Sequence, residues 1–120
     1  MFSVGTDLIE IKRIEKSIQN EYFMQKIFGP DEIEELGKRK NPPESVAAAF
    51  AAKEAFSKAI GTGVRGFSMC EVQLLHDDMG APYFKFLGRA KDIVDELEYN
   101  FSVSLTHTAQ LASATVIAYK

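Results

Sequence analysis

Between Ser45 and Gly63 the chain reads Ser-Val-Ala-Ala-Ala-Phe-Ala-Ala-Lys-Glu-Ala-Phe-Ser-Lys-Ala-Ile-Gly-Thr-Gly, and no other stretch restricts the fold as much. Alanine is the strongest helix former, Pro42 and Pro43 stand just ahead, and Gly61 follows the last apolar residue, so a helix of about four turns is expected. Between Val46 and Ile60 the only polar side chains are Lys53, Glu54, Ser57 and Lys58. At about 100° per residue they fall in one stripe, with Ala or Phe nearly everywhere else around the axis. Such a helix is expected to be buried on most sides and open along one polar seam. A carboxylate with two ammonium groups is costly to bury, so the seam is expected to hold a ligand.

A chain of 120 residues with no low-complexity stretch fits one domain, residues 1–120, that gains from oligomerisation. Its formal charge of −3 offers no global basic field for nucleic acid or an anionic membrane. Cys70 is the only cysteine, which excludes an internal disulfide and a cysteine zinc cluster and fits a reducing compartment, the cytoplasm by default. No apolar run approaches ~18 residues. Asp7, Glu10, Lys12 and Arg13 put charge where a signal peptide would be apolar, so neither export nor a membrane span is expected.

In chain order, Met1 to Thr6 reads as a short strand, with Gly5 allowing close backbone approach and Asp7 at its end. Ile11, Ile14 and Ile18 follow at helical spacing, so Asp7 is equally well placed as a helix cap. Further helices are expected over Tyr22 to Phe28 and from Pro30 to about Arg39, the second with acidic residues early and basic residues late. Cys70 to His76 and Ala81 to Phe86 form a hairpin around Asp77-Asp78-Met79-Gly80. Ala90 to Glu98 is a helix, and Phe101 to His107 alternates with period two. Leu111 to Tyr119 is a last strand whose small residues would let a neighbouring sheet or subunit approach closely. The expectation is an α+β fold, an antiparallel sheet of about four or five strands packed against helices.

Asp7 and Glu54 are the first candidates for chemistry. If the seam faces the opening strand, two carboxylates converge, a donor set suited to Mg²⁺, which takes one or two carboxylates plus waters and substrate phosphates. Lys58, one turn beyond Glu54, is either an ordinary i,i+4 partner or a phosphate ligand. His107, between Thr106 and Thr108, is a structural residue or a base, and His76 beside Asp77 and Asp78 is expected to be solvated. No phosphate-loop, Rossmann, nucleophile-elbow or zinc pattern is present.

Four segments then act together: Gly5-Thr6-Asp7-Leu8-Ile9-Glu10-Ile11-Lys12-Arg13-Ile14, Phe50-Ala51-Ala52-Lys53-Glu54-Ala55-Phe56-Ser57-Lys58-Ala59-Ile60-Gly61-Thr62-Gly63, Gly80-Ala81-Pro82, and Val103-Ser104-Leu105-Thr106-His107-Thr108. Over essentially the whole chain, in order and length, they resemble the holo-acyl-carrier-protein synthase family of phosphopantetheinyl transferases. The resemblance implies that fold, assembled as a trimer with sites at subunit interfaces. It implies transfer of the 4′-phosphopantetheine arm of coenzyme A to a serine of apo-acyl carrier protein, releasing adenosine 3′,5′-bisphosphate. By the same likeness Asp7 and Glu54 hold Mg²⁺ and Lys58 meets the pyrophosphate. Gly63, Gly80, Pro82, Thr106, His107 and Thr108 would line the coenzyme groove, in part from the adjacent chain. Arg13, with Lys16 and Lys26, would dock the acidic carrier. Glu54 is the candidate base for the serine proton, and Glu32 the second choice.

Family members often carry Arg immediately before the central aromatic, where this chain has Ala49. Such an arginine would serve the nucleotide phosphate, and Lys38, Arg39 or Lys40 are the candidates to replace it. Two competing functions use the same residues: a Mg²⁺-dependent phosphohydrolase, and a non-catalytic trimeric module in which Glu54 and Lys58 are only a salt bridge.

Overall fold

The computed structural model describes Met1–Lys120. In order, the elements are β1 (Phe2–Glu10), α1 (Ile11–Ser17), α2 (Glu21–Ile27), α3 (Pro30–Lys38), α4 (Pro43–Ala59), β2 (Val72–His76), β3 (Pro82–Phe86), α5 (Gly88–Leu97), β4 (Asn100–His107) and β5 (Leu111–Tyr119). A single 3₁₀ turn, Met69–Glu71, precedes β2. The expected α+β class is observed, with every expected helix and strand present.

α4 lies on a three-stranded antiparallel sheet of order β1-β5-β4. Proline at the first helical position and a buried apolar surface on most sides give it its length of 17 residues. The sheet presents small residues to it: Ala112, Ala114, Val116 and Ala118 are all at most 2% exposed and belong to the same core as the α4 alanines. The small residues of β5 thus face the helix of their own chain, which corrects the expectation that they invite a neighbouring sheet or subunit. Gly5 takes the close approach furthest. A Cβ there would sit 2.0 Å from the Ala55 carbonyl oxygen and 2.6 Å from the Ala59 amide nitrogen, so only glycine lets the helix backbone rest on β1.

β1 is longer than its alternation suggests. Pairing with β5 continues from Phe2↔Tyr119 through Asp7↔Ala114 to Glu10↔Leu111. Asp7 is therefore within the strand and caps no helix, and α1 begins after Glu10 without a side-chain cap. Ladder hydrogen bonds to β5 hold this segment extended, and they outweigh the local signals for a helix start.

The sheet also departs from a single layer of four or five strands, because β2 and β3 form a separate two-stranded sheet. The free edge of β2 is closed by side chains instead of another strand. Its Leu74 amide donates to Glu32 Oε2 at 2.9 Å, its His76 amide donates to Glu35 Oε1 at 3.0 Å, and its Val72 carbonyl accepts from Lys53 Nζ. With those groups satisfied, no further strand is required. The two sheets meet through an aromatic cluster in which Phe56 of α4 lies 5.2 Å, centroid to centroid, from both Phe86 and Phe101.

Candidate active site

The seam of α4 is not one surface. Lys53 and Ser57 are buried, at 0% and 2% exposure, whereas Glu54 is half-buried and Lys58 exposed. Successive residues lie about 100° apart, so the inner half of the stripe enters the core and the outer half looks along β1. Ser57 Oγ donates to the Glu54 carbonyl at 2.7 Å and is satisfied within the helix. Lys53 has an internal partner, Glu32 of α3, at 2.5 Å. The ammonium expected to await a ligand is thus held by the fold, and Glu32, fully buried in that pair, is no candidate base. Burial pushes the Glu32 carboxyl up and the Lys53 ammonium down, while each charge opposes the other's shift.

Outside the core, Lys58 Nζ donates to Asp7 Oδ1 at 3.2 Å and to the Thr6 carbonyl at 2.9 Å. Asp7 and Glu54 line one cavity of about 460 Å³, together with Leu8, Ile9, Glu10, Arg13, Phe50 and Leu111. Glu54 makes no ion pair. Its carboxyl is pushed above the usual glutamate value, first by burial and then by the Asp7 charge, with Lys58 pulling it back. Two carboxylates on one cavity, one of them unpaired and destabilised by the other, suit a divalent cation, which would relieve both burial and repulsion. Glu10 lines the same cavity but does not join them in a cluster of three that could hold a metal ion.

Arg13 is the surprise of this cavity, since the sequence points to it for carrier docking. Its neighbour on α1, Lys16, is exposed, and Lys26 is exposed on the separate helix α2. Glu10 and Phe50 were not singled out from the sequence. A signal for Phe50 existed, because Phe50, Glu54 and Lys58 are spaced i, i+4, i+8 along one helix face.

The remaining expected site residues lie elsewhere. His107 and Thr108 line a second cavity of about 400 Å³ with Ile11, Glu44 and Ala109. His107 also lines a third, of about 170 Å³, with Arg39, Glu44, Ser45, Ala48, His76 and Leu105. His76 is not simply solvated: Glu35 Oε2 is 3.0 Å from its Nδ1. Thr108 Oγ accepts from the Gln110 and Leu111 amides and shapes the β4–β5 turn. Thr106 is exposed opposite Ser113. Gly63 and Gly80 supply positive φ angles of 63° and 85° in the loop after α4 and the hairpin turn, and Pro82 opens β3 opposite His76. None of these six lines the Asp7–Glu54 cavity. Ala49 is buried in the core.

Residues 3–114 match the 4′-phosphopantetheinyl transferase superfamily, and the chain belongs to it, as an enzyme of that class. Within that superfamily its family is that of the holo-[acyl-carrier-protein] synthases. The protein of that description from Fusobacterium nucleatum is 42% identical over 119 residues, covering 98% of each chain. Among solved structures, the holo-[acyl-carrier-protein] synthase of Neisseria meningitidis superposes with a TM-score of 0.91 at 33% identity over 98% of each chain. The Helicobacter pylori synthase, solved in complex with coenzyme A, gives 0.83 at 29% identity, covering 96% of this chain and 98% of that one.

Proposed function

We propose that residues 1–120 act as one domain that moves the 4′-phosphopantetheine group of coenzyme A to a serine hydroxyl of apo-acyl carrier protein. The observation that carries this is the shared cavity of Asp7 and the unpaired Glu54, with Lys58 at its rim. In the reaction the serine oxygen bonds to the pantetheine-side phosphorus of the pyrophosphate. The bond from that phosphorus to the bridging oxygen breaks, and adenosine 3′,5′-bisphosphate leaves.

Asp7 and Glu54 would hold Mg²⁺, which supplies charge neutralisation on the phosphoryl oxygens when bound. Lys58 turns from Asp7 to the pyrophosphate. Its exposed ion pair is worth only about 0–1 kcal/mol, so a multiply charged phosphate competes for the ammonium readily. Glu54, directly or through a water, is assigned to accept the serine proton, from its place on the cavity beside Asp7. Arg13 and Lys16, on one exposed face of α1, are assigned to the acidic carrier, with Lys26 as an outlying contact.

The coenzyme site is proposed to be shared between subunits of a trimer. His107 flanks the N-terminal part of α4 at Ser45 and Ala48, about 9–14 Å of helix rise from Glu54. No cavity of the single chain is lined by both His107 and the Asp7–Glu54 pair, and a second copy is proposed to bring its own His107 to the Asp7–Glu54 side. The outer face of the β1-β5-β4 sheet supports such assembly, with Phe2 75%, Val4 56%, Leu8 63%, Ile117 40% and Tyr119 40% exposed. Arg39 shares the cavity of His107, and of the three basic residues that could serve the nucleotide phosphate in place of an arginine at Ala49, it is the one assigned. Thr106, Thr108, Gly63, Gly80 and Pro82 are assigned to the rest of the groove. A cytoplasmic location completes the proposal, and no helix is long and apolar enough to cross a membrane.

The deciding experiment mixes the protein with coenzyme A, Mg²⁺ and an apo-carrier protein and weighs the carrier. A mass gain of one phosphopantetheine, dependent on Mg²⁺, is expected. Release of adenosine 3′,5′-bisphosphate without carrier would favour a hydrolase, and no reaction would leave a binding module.

A further inference from the structure

Helix α4 carries limited steric information about its own rotation. Ala47, Ala49, Ala51, Ala52 and Ala55 are all buried and spread over more than half of its circumference, so a small turn exchanges methyl groups for methyl groups. Val46 and Phe56, both fully buried, exclude a gross turn. The finer setting still matters, because about 20° at the side-chain radius of a helix moves a terminal group by about 2 Å. A displacement of about 1 Å at a reacting group is enough to lower a rate by on the order of 100-fold.

The buried charge on α4 does discriminate such rotations. Lys53 Nζ donates to Glu32 Oε1 and to the carbonyls of Met69, at 3.3 Å, and Val72, and lies 5.2 Å from the Phe28 ring centroid. Glu32 is fixed in turn, accepting the Gly29 amide at Oε1 and the Leu74 amide at Oε2, both at 2.9 Å. Both side chains are fully buried, so rotation would strand an ammonium and a carboxylate away from water. The next residue after Lys53 is Glu54, and Lys58 follows one turn beyond, both directed towards β1.

We infer that the Glu32–Lys53 pair is the rotational key of α4: both are positioning residues that aim Glu54 and Lys58 at Asp7. Setting a register is the best-attested use of a buried polar pair, and replacement by shape-matched neutral groups commonly leaves stability intact. The ion pair therefore serves alignment, while its hydrogen bonds to the backbone also close the edge of β2.

The test is the double variant Lys53→Met/Glu32→Gln, in which Met matches the lysine stem and the amide oxygen of Gln keeps one of the two backbone N–H groups that Glu32 accepts. Its melting temperature and its kcat/KM for phosphopantetheine transfer are compared with wild type. Nuclear Overhauser contacts from Lys58 to Thr6 and Asp7 are recorded on the same samples without ligand. The expected result is a folded protein whose melting temperature falls because the Val72 carbonyl and one backbone amide lose their partners, with weakened contacts and kcat/KM per folded molecule lower by on the order of 10- to 100-fold. Wild-type contacts with wild-type kcat/KM would overturn the inference. So would a loss of activity that only follows the unfolded fraction while the contacts persist. Should the double variant fail to fold, Lys53→Met alone, in which the Glu32 carboxyl takes up a proton and keeps its place beside the Gly29 and Leu74 amides, is judged by the same signals. The kinetic arm rests on the transferase activity proposed above, whereas the contact arm needs no substrate, so failure of one is distinguishable from failure of the other.

Discussion

The Lys58 ammonium bridges 51 residues of sequence to reach Asp7 Oδ1 at 3.2 Å, from an exposed side chain to a half-buried carboxylate at the protein surface. That pairing partly neutralises one of the three acids lining the cavity, Asp7, Glu10 and Glu54, and leaves Glu54 without an ion-pair partner. The unliganded site is therefore unevenly compensated, and cation binding and phosphate binding become linked. On the proposed function, a divalent ion held by Asp7 and Glu54 would weaken the hold on Lys58 and free the ammonium for an incoming phosphate.

Replacing Lys58 by Ala is expected to weaken coenzyme A binding and slow transfer, with a stability change under about 1 kcal/mol because the lost pair is exposed. Calorimetric titration with coenzyme A and carrier-loading kinetics check this. A binding constant and rate equal to wild type would remove Lys58 from the site.

Glu54→Gln is expected to abolish transfer while the protein stays folded. The neutral amide removes repulsion with Asp7, so the melting temperature should equal or exceed that of wild type. Wild-type turnover in this variant would exclude Glu54 as ligand and as base.

The Glu54 carboxyl is expected to titrate above the usual glutamate value in the unliganded protein, and to move back towards it in Asp7→Asn, since Asp7 is the second cause of the rise after burial. The sign for stability follows: the fold favours the protonated acid. The stabilisation is complete below the unfolded-state value and fades as pH rises through the raised one. Carbon-13 carboxyl spectra against pH report the first effect, and melting curves against pH, compared with Glu54→Gln, report the second.

Gly5→Ala should destabilise the protein by about 1–3 kcal/mol, because the added methyl meets backbone atoms of α4 that cannot rotate away. The shift that relieves the clash lifts α4 from β1, so carrier loading per folded molecule should also fall. Chemical denaturation and single-turnover loading measure the two effects, and loading equal to wild type would show that the spacing of α4 and β1 does not govern the site.

Arg39→Ala should raise the KM for coenzyme A more than that for 3′-dephospho-coenzyme A, if Arg39 serves the nucleotide phosphate from the His107 cavity. Equal effects on the two donors would relocate that contact.

The sequence alone determined the elements and their class. Alanine-rich composition between Pro43 and Gly61 specifies a helix, period-two alternation specifies β4, and Asp77 to Gly80 specifies the hairpin turn, because each signal is local and acts through backbone preferences. It also singled out Asp7, Glu54 and Lys58, since charge interrupting an apolar helix is visible without coordinates. Only the tertiary structure decided which half of the polar stripe faces the cavity beside β1 and which is buried as scaffold. Lys53 and Glu54 are adjacent and equally polar, but one meets Glu32 from 21 residues upstream and the other faces Asp7. The same holds for Asp7, which its own neighbours would make a helix cap and which pairing with β5 keeps in a strand. Long-range partners set these outcomes. A buried charge follows the nearest opposite charge in space, and sequence spacing does not encode that distance.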